Sequence, residues 1–429
     1  MESIWQNSTK APSFPKLQGN AKTDVLIIGG GIVGILTAYF LKQSGVDCML
    51  VEKRRICSGT TGYTTAKITF QHGLNYQKLL KSEGLETAQK FLHANRLAFE
   101  KYAELCREIH CDYQRKPNYV YSVQDRNALE QELSALARIG YEPVFCEHLP
   151  LPFPTAGAVM FPDQAQFHPL KFLYAIAAHL PIYENTFVRE MRENQAITDG
   201  GNITAKAVIV ATHFPFLNKH GSYFLKLYQH RSYVLALEHA QNVQGMYVDA
   251  CKTGLSFRNY GEYLLLGGGG HRTGKQGGCW AELRRAARQY YPSAREWGHW
   301  AAQDCMTLDQ MPYIGQYSSR IAQLFTAAGF DKWGMTGAML SGMLLSDLVQ
   351  GRKPAYADIF NPSRSMLKSQ LFVNGLESIG NLLTFTGRRC PHLGCALHWN
   401  AAEHSWDCAC HGSRLDEHGN VLDNPANGA

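Results

Sequence analysis

The sequence predicts an α/β fold with a parallel βαβ unit at its head, an antiparallel portion in its middle and a small separate unit at its C-terminus. Three observations carry that prediction. A glycine-rich turn joins a short apolar strand to a helix within residues 25–43. Strand-like segments recur at 202–211, 231–237 and 255–268. Four of the 12 cysteines crowd into residues 390–410, with His392 among them and His411 directly behind. The 429 residues are 45% hydrophobic and 18% charged, which excludes a disordered chain and supplies a large core. The length allows two or three domains. Lys plus Arg is 42 and Asp plus Glu is 36, so the net charge is +6. This mild balance is spread along the chain and argues against nucleic acid or an anionic membrane as the main partner.

Taken in order, residues 1–20 read as a loose, polar arm with two prolines and no apolar h-region, so not a signal peptide. Val25-Leu26-Ile27-Ile28 reads as a buried strand, Gly29 to Gly34 as a tight turn, and Ile35–Gln43 as a helix stopped by Ser44-Gly45. Val46–Val51 is a second strand that ends at Glu52. Residues 76–110 read as one amphipathic helical stretch, 117–166 as short strands and turns, 169–180 as a helix and 202–211 as a strand. Two antiparallel strands follow at 231–237 and 255–268, the second running into Gly267–Gly270. Residues 334–349 form a helix rich in small residues, and a turn-rich connection and a short apolar stretch at 371–385 lead to the cluster. No apolar run approaches the roughly 20 residues that span a bilayer. The scattered cysteines, such as Cys48, Cys106 and Cys251, suit buried thiols in a reducing compartment. A soluble, cytoplasmic protein is expected.

Gly29, Gly31 and Gly34 have the G-x-G-x-x-G spacing. The first glycine permits the turn, the second admits a pyrophosphate to the backbone, and the third lets helix and strand pack closely. The helix N-terminus offers N–H groups to phosphates. Glu52 lies 18 residues beyond Gly34, where its carboxylate accepts ribose hydroxyls. The fingerprint alone does not separate FAD from NAD.

The stretch VLIIGGGIVGILTAYFLKQSGVDCMLVEK at 25–53 resembles the N-terminal motif of the D-amino-acid oxidase superfamily of flavoproteins. Three further segments match in order: Cys57–Thr69, Thr204–Thr212, and Leu308–Gly315 followed by Ala328-Gly329-Phe330 and a helix. The resemblance spans roughly residues 23–350 and implies non-covalent FAD, since the loop at 57–66 carries no His and no matching Cys stands near Gly315. It implies FAD contacts at Thr60, Thr61, Thr65 and Ala66, at Val188, Ala211 and Thr212, and at Gly315, Gly329, Phe330, Gly334, Met335 and Thr336. It further implies an FAD-binding domain at 21–85, 161–218 and 305–352, with an inserted substrate domain at 86–160 and 219–304 whose antiparallel sheet roofs the flavin. On that roof Arg231, Tyr233, Arg258, Tyr260, His271 and Arg272 are the substrate candidates. Amine-oxidising relatives often carry W-x-G-R before the T-x-D-x-x-P segment, and that Arg helps hold a carboxylate. Here the run is Trp300-Ala301-Ala302-Gln303.

At the C-terminus, Cys390-x-His392 and Cys408-x-x-His411 offer two thiolates and two imidazoles, which zinc or a [2Fe–2S] centre can use. Zinc fingers commonly place a Cys pair before a His pair. Here each loop supplies one of each, an order that suits one iron on Cys390 and Cys408 and the other on His392 and His411. The loops Cys390-Pro391-His392-Leu393-Gly394-Cys395 and Cys408-Ala409-Cys410-His411-Gly412-Ser413 resemble those of a Rieske domain. That resemblance implies a Cys395–Cys410 disulfide, a hydrogen bond from Ser413 to a cluster sulfur, and a proline loop at Asn424-Pro425-Ala426. Leu415 stands where high-potential members have Tyr, which places the potential in the lower-to-middle part of about −150 to +300 mV. The domain, 386–429 after a connection at 353–385, looks minimal and is expected to lean on the flavoprotein body.

FAD accepts a hydride and a [2Fe–2S] centre carries single electrons. The expected protein is therefore a dehydrogenase for a small amine- or amino-acid-like substrate, with an external electron acceptor, a redox protein among the candidates. The other readings are an electron-transfer module without its own substrate and a redox sensor using Cys395 and Cys410. Homo-oligomer formation is left open. No catalytic base stands out; His213, Lys332 and Trp333 remain undecided.

Overall fold

The computed structural model describes residues 2–217, 221–251, 254–384, 387–423 and 425. Parallel strands covered on both faces need near-continuous apolar runs, and Val25 to Ile28 are buried accordingly. The central sheet runs Tyr313–Ser318, Ile321–Ala328, Asn202–Val210, Ala21–Ile28, Cys48–Val51, Ile182–Tyr183, with the Val188–Arg192 and Gln195–Thr198 hairpin at its side. Ile28 pairs in parallel with both Val51 and Val210, so three strand ends open at one edge. That edge is where open α/β sheets bind ligands.

The helix after the glycine turn is Ile32–Gln43, three residues longer at its start than expected, because Gly31 serves as its N-cap. It packs on Gly334–Val349, where a Cβ on Gly342 would meet the Leu36 backbone at 3.0 Å. The stretch 76–110 is two helices rather than one, Tyr76–Ser82 and Leu85–Leu105; Gly84 between them has φ +86°, which breaks the helical path.

A second sheet of nine strands spans the middle of the chain. The segment expected as one strand at 255–268 is a hairpin, Ser256–Tyr260 and Tyr263–Arg272, turned at Gly261 with φ +55°. The sheet is antiparallel except where Met246–Asp249 runs parallel to residues 118–121. The arm is not loose. Ser3, Ile4 and Trp5 are buried in a capped helix, Ile4–Asn7, and Trp5 Nε1 donates to Thr64 O at 2.7 Å.

The third sheet holds Leu397–Asn400, Ser405–Cys408, Arg414–Leu415 and Val421–Asp423. Before it, the apolar stretch forms the helix Ser369–Leu383, which leaves Phe372, Leu376 and Leu383 exposed. Among the described residues no helix is long and apolar enough to cross a membrane.

Candidate active site and cluster site

A cavity of about 550 Å³ starts at the strand ends beside Gly29 and Gly31 and reaches the N-terminus of the helix Gly334–Val349. A Cβ on Gly34 would lie 1.9 Å from Gly29 O, so the third glycine is required for strand–helix contact. Glu52 lines the cavity and accepts from the Gly30 N–H at 2.7 Å. Burial raises its carboxyl above the usual range, against the pull of the Arg54 and Gly30 N–H groups. Thr60, Thr61, Thr65, Val188, Ala211 and Thr212 also line the cavity, as do Phe330, Gly334 and Met335. Ala66, Gly315, Gly329 and Thr336, also expected as contacts, are not in the lining; Thr336 donates to Thr69 O at 3.0 Å and meets His72 Nε2 at 2.9 Å. An elongated cavity with a glycine cradle at one end and a free helix N-terminus at the other fits a dinucleotide.

Sequence reasoning did not single out Lys67 or His72, which line the same cavity. The His72 ring stacks on Trp333 at 5.1 Å, and burial takes its pKa down to about 3, so the ring is neutral. Trp333 and Lys332 line the cavity too. The signal for Lys67 was a lone charge in an otherwise uncharged strand segment, TTAKITF.

The six roof candidates divide. Tyr233 lines the cavity, and its hydroxyl lies 3.0 Å from His271 Nε2 while donating to Glu403 at 2.8 Å. Arg231 and Arg272 point away from the cavity, into the C-terminal domain. Arg231 pairs with Glu403, its Nε donating at 2.9 Å, and Arg272 donates to Ala409 O at 3.0 Å and Cys410 O at 3.4 Å. Tyr260 donates to Asp112 at 2.6 Å and packs edge-on against Trp5. Arg258 is fully buried and donates from Nη1 to Thr65 O and Ala66 O, both at 2.7 Å.

In the C-terminal domain both loops turn the same way. Gly394 N–H donates to Cys390 O and Gly412 N–H to Cys408 O, each at 2.9 Å, and both glycines have positive φ (+77° and +84°). The turns place Cys390 beside Cys408 and set the His392 and His411 rings 5.1 Å apart and perpendicular. Burial takes the two imidazoles down to about 4 and about 3, so both are neutral, as metal ligation requires. His411 Nδ1 is buried with no hydrogen-bond partner among the described residues, an atom left for a metal. Ser413 bonds the Cys390 thiol, matching its expected place beside a cluster sulfur. These residues fit a [2Fe–2S] centre with two Cys and two His ligands.

The Cys395–Cys410 disulfide is a correction. Both residues are free thiols; their Sγ atoms and that of Cys408 lie within 4.8 Å of one another, so proximity is present without a bond. Asn424 and Ala426 of the proline loop lie outside the described residues.

The two sites abut. Gln303 Nε2 donates to Gly412 O at 2.9 Å, its Oε1 accepts from Thr273 at 3.0 Å, and its backbone O accepts from Thr60 at 3.0 Å. One side chain thus joins the cluster loop to the roof, and its backbone holds the loop that lines the cavity. The Phe214 ring, just past cavity-lining Thr212 and His213, lies 6.4 Å from both imidazoles, and Phe224 lies 6.2 Å from His411. His213 sits in a left-handed turn with φ +65° and meets Gln229 at 3.3 Å.

Residues 24–348 match the family model for FAD dependent oxidoreductase, DAO, and residues 362–429 match that for the Rieske [2Fe-2S] domain. A Bacillus subtilis (strain 168) protein named as a Rieske 2Fe-2S iron-sulfur protein, YhfW, is 33% identical over 489 aligned positions, covering 99% of this chain and 96% of that protein. The fold is similar to that of glycine oxidase from Geobacillus kaustophilus, with TM-score 0.68, 22% identity, and coverage of 81% of this chain and 100% of that one. It is also similar to L-proline dehydrogenase from P. horikoshii, with TM-score 0.67, 16% identity, and coverage of 80% and 98%.

Proposed function

The chain belongs to the DAO family of FAD-dependent oxidoreductases and carries a Rieske [2Fe–2S] domain, and on that premise we propose that it is a dehydrogenase. It oxidises a small amine- or amino-acid-like substrate by hydride transfer and passes the electrons singly to an external acceptor. FAD, held non-covalently, supplies the two-electron chemistry, and a cluster on Cys390, His392, Cys408 and His411 supplies the one-electron outlet. The observation that carries this reading is the junction. The imidazole side of the cluster site faces the flavoprotein body through Phe214 and Phe224, and Gln303 ties the second cluster loop to the cavity wall. A simple oxidase that hands electrons to oxygen has no use for such a contact. The similar folds include both an oxidase and a dehydrogenase, and the one-electron outlet favours the latter.

The chain's own residues bind and position. The Gly29–Gly34 turn and Glu52 receive the nucleotide, and the Gly334–Val349 helix N-terminus stabilises negative charge developing near it. Tyr233 closes the roof with its hydroxyl already engaged by Glu403 and His271. Hydride transfer from an amine needs positioning more than a base.

The test is anaerobic addition of amines, amino acids and hydroxy acids to the holoprotein. A substrate should bleach the flavin, and low-temperature EPR should then show a His-ligated [2Fe–2S] signal. If no compound bleaches the flavin while a reduced redox protein does, the chain is an electron-transfer module without a small substrate.

A further inference from the structure

Lys67, half-buried, and Arg258, fully buried, form a pair of like charges. Lys67 lies on Lys67–Ile68, the edge strand of the nine-stranded sheet, and lines the cavity. Its Nζ meets the Thr65 hydroxyl at 3.4 Å, and no carboxylate pairs with it among the described residues. Arg258 lies directly behind the same segment, bonded to Thr65 O and Ala66 O and flanked by the Trp5 and Tyr260 rings at 5.4 and 5.9 Å. Its Nε and Nη2 are buried with no hydrogen-bond partner among the described residues. Buried charges in folded proteins are paired or hydrogen-bonded because desolvation is costly. Two neighbouring basic groups with no acid among the described residues, one of them open to a cavity, are relieved either by loss of the Lys67 proton or by an anion from outside the chain.

The pyrophosphate end does not meet that need. Gly29, Gly31 and Glu52 stand at the end of the other sheet, whereas Lys67 shares its sheet with the roof residues Tyr233 and Ser256. Nor does the wall at 303. The position where amine-oxidising relatives often carry an arginine holds Gln303, whose side chain is engaged by Gly412 and Thr273.

We infer that Lys67, backed by Arg258, is the subsite for a carboxylate of the substrate, so that the anion is held by the strand edge instead of by the wall at 303. Burial and then the Arg258 charge bring Lys67 down to about 7, and an arriving carboxylate restores its proton. This rests on the reading that the cavity takes FAD and a small substrate.

The test titrates the FAD-loaded full-length protein with acetate, with acetamide as the neutral isostere, following the visible flavin spectrum. Acetate should perturb the spectrum saturably and acetamide should not. Lys67→Met and Lys67→Gln should weaken acetate by about 10- to 100-fold, and Lys67→Arg should retain it. Equal acetate binding in wild type and both neutral variants overturns the proposal. So does a lowered flavin midpoint potential in those variants with acetate affinity unchanged, which would make the flavin the anion served. Loss of acetate binding in Lys67→Met when no substrate bleaches wild type leaves this subsite standing and removes the dehydrogenase reading alone.

Discussion

Three arginines on one sheet meet opposite fates. Arg231 and Arg272 leave the sheet toward the cluster domain and find a carboxylate, Glu403, and the carbonyls of Ala409 and Cys410. Arg258, on the same hairpin as Arg272 but on its first strand, finds two carbonyls and no carboxylate among the described residues. The difference separates structure from function on the same scaffold. Glu403 neutralises the charge of Arg231, carbonyl and amide oxygens of the cluster side hold Arg272, and together they fasten the cluster domain to the roof, where Arg414 adds a second cation to Glu403 at 2.8 Å. The third, behind cavity-lining Lys67, has no countercharge among the described residues, and neither has Lys67.

The largest break in this comparison is Arg231→Met. Glu403 is 8% exposed and would keep only Arg414 as a charged partner. Breaking a buried pair should cost about 3 kcal/mol, read as a lower unfolding midpoint for the cluster domain by the loss of its EPR signal on heating. Gln303→Leu comes next. It leaves the buried Gly412 carbonyl without its donor, at about 1–3 kcal/mol. Stopped-flow should show flavin reduction by substrate unchanged and cluster reduction slowed; equal rates would detach Gln303 from the junction. The third prediction sharpens the contrast by pH. Lys67 is cationic below about 7 and neutral above it. Acetate stays anionic above about pH 6, so its affinity should be flat between about pH 6 and 7 and fall by up to about tenfold per unit above that. Lys67→Arg should abolish that slope, because guanidinium keeps its proton. The smallest effect is Tyr233→Phe, which removes hydrogen bonds to His271 and Glu403 and should cost about 1 kcal/mol of stability with the cluster spectrum unchanged.

The nucleotide fingerprint and both cluster loops were legible residue by residue because their chemistry is local. Gly29, Gly31 and Gly34 act within one turn, and Cys390 with His392, or Cys408 with His411, lie within one loop each. The roof candidates were legible only as types. An arginine on a predicted strand carries no record of which face it takes or what stands opposite, and here that decided between clamp and cavity. The disulfide expectation failed in a related way. The spacing that brings Cys395 and Cys410 together does not by itself make the bond, and their thiols are free. The single helix expected at 76–110 overlooked Gly84, whose positive φ ends one helix and starts another.

By itself, then, the sequence determined an α/β core with a nucleotide-binding glycine turn, two loops that each carry a cysteine and a histidine, and the order of the domains along the chain. These follow from short-range spacing, which survives in any fold that forms. Only the tertiary structure decided that Gln303 meets the cluster loop, that Arg231 serves Glu403, and that Lys67 and Arg258 stand together with no acid beside them among the described residues. Those pairings join residues far apart in the chain. Their energies depend on burial and on the presence or absence of a countercharge, which packing alone creates.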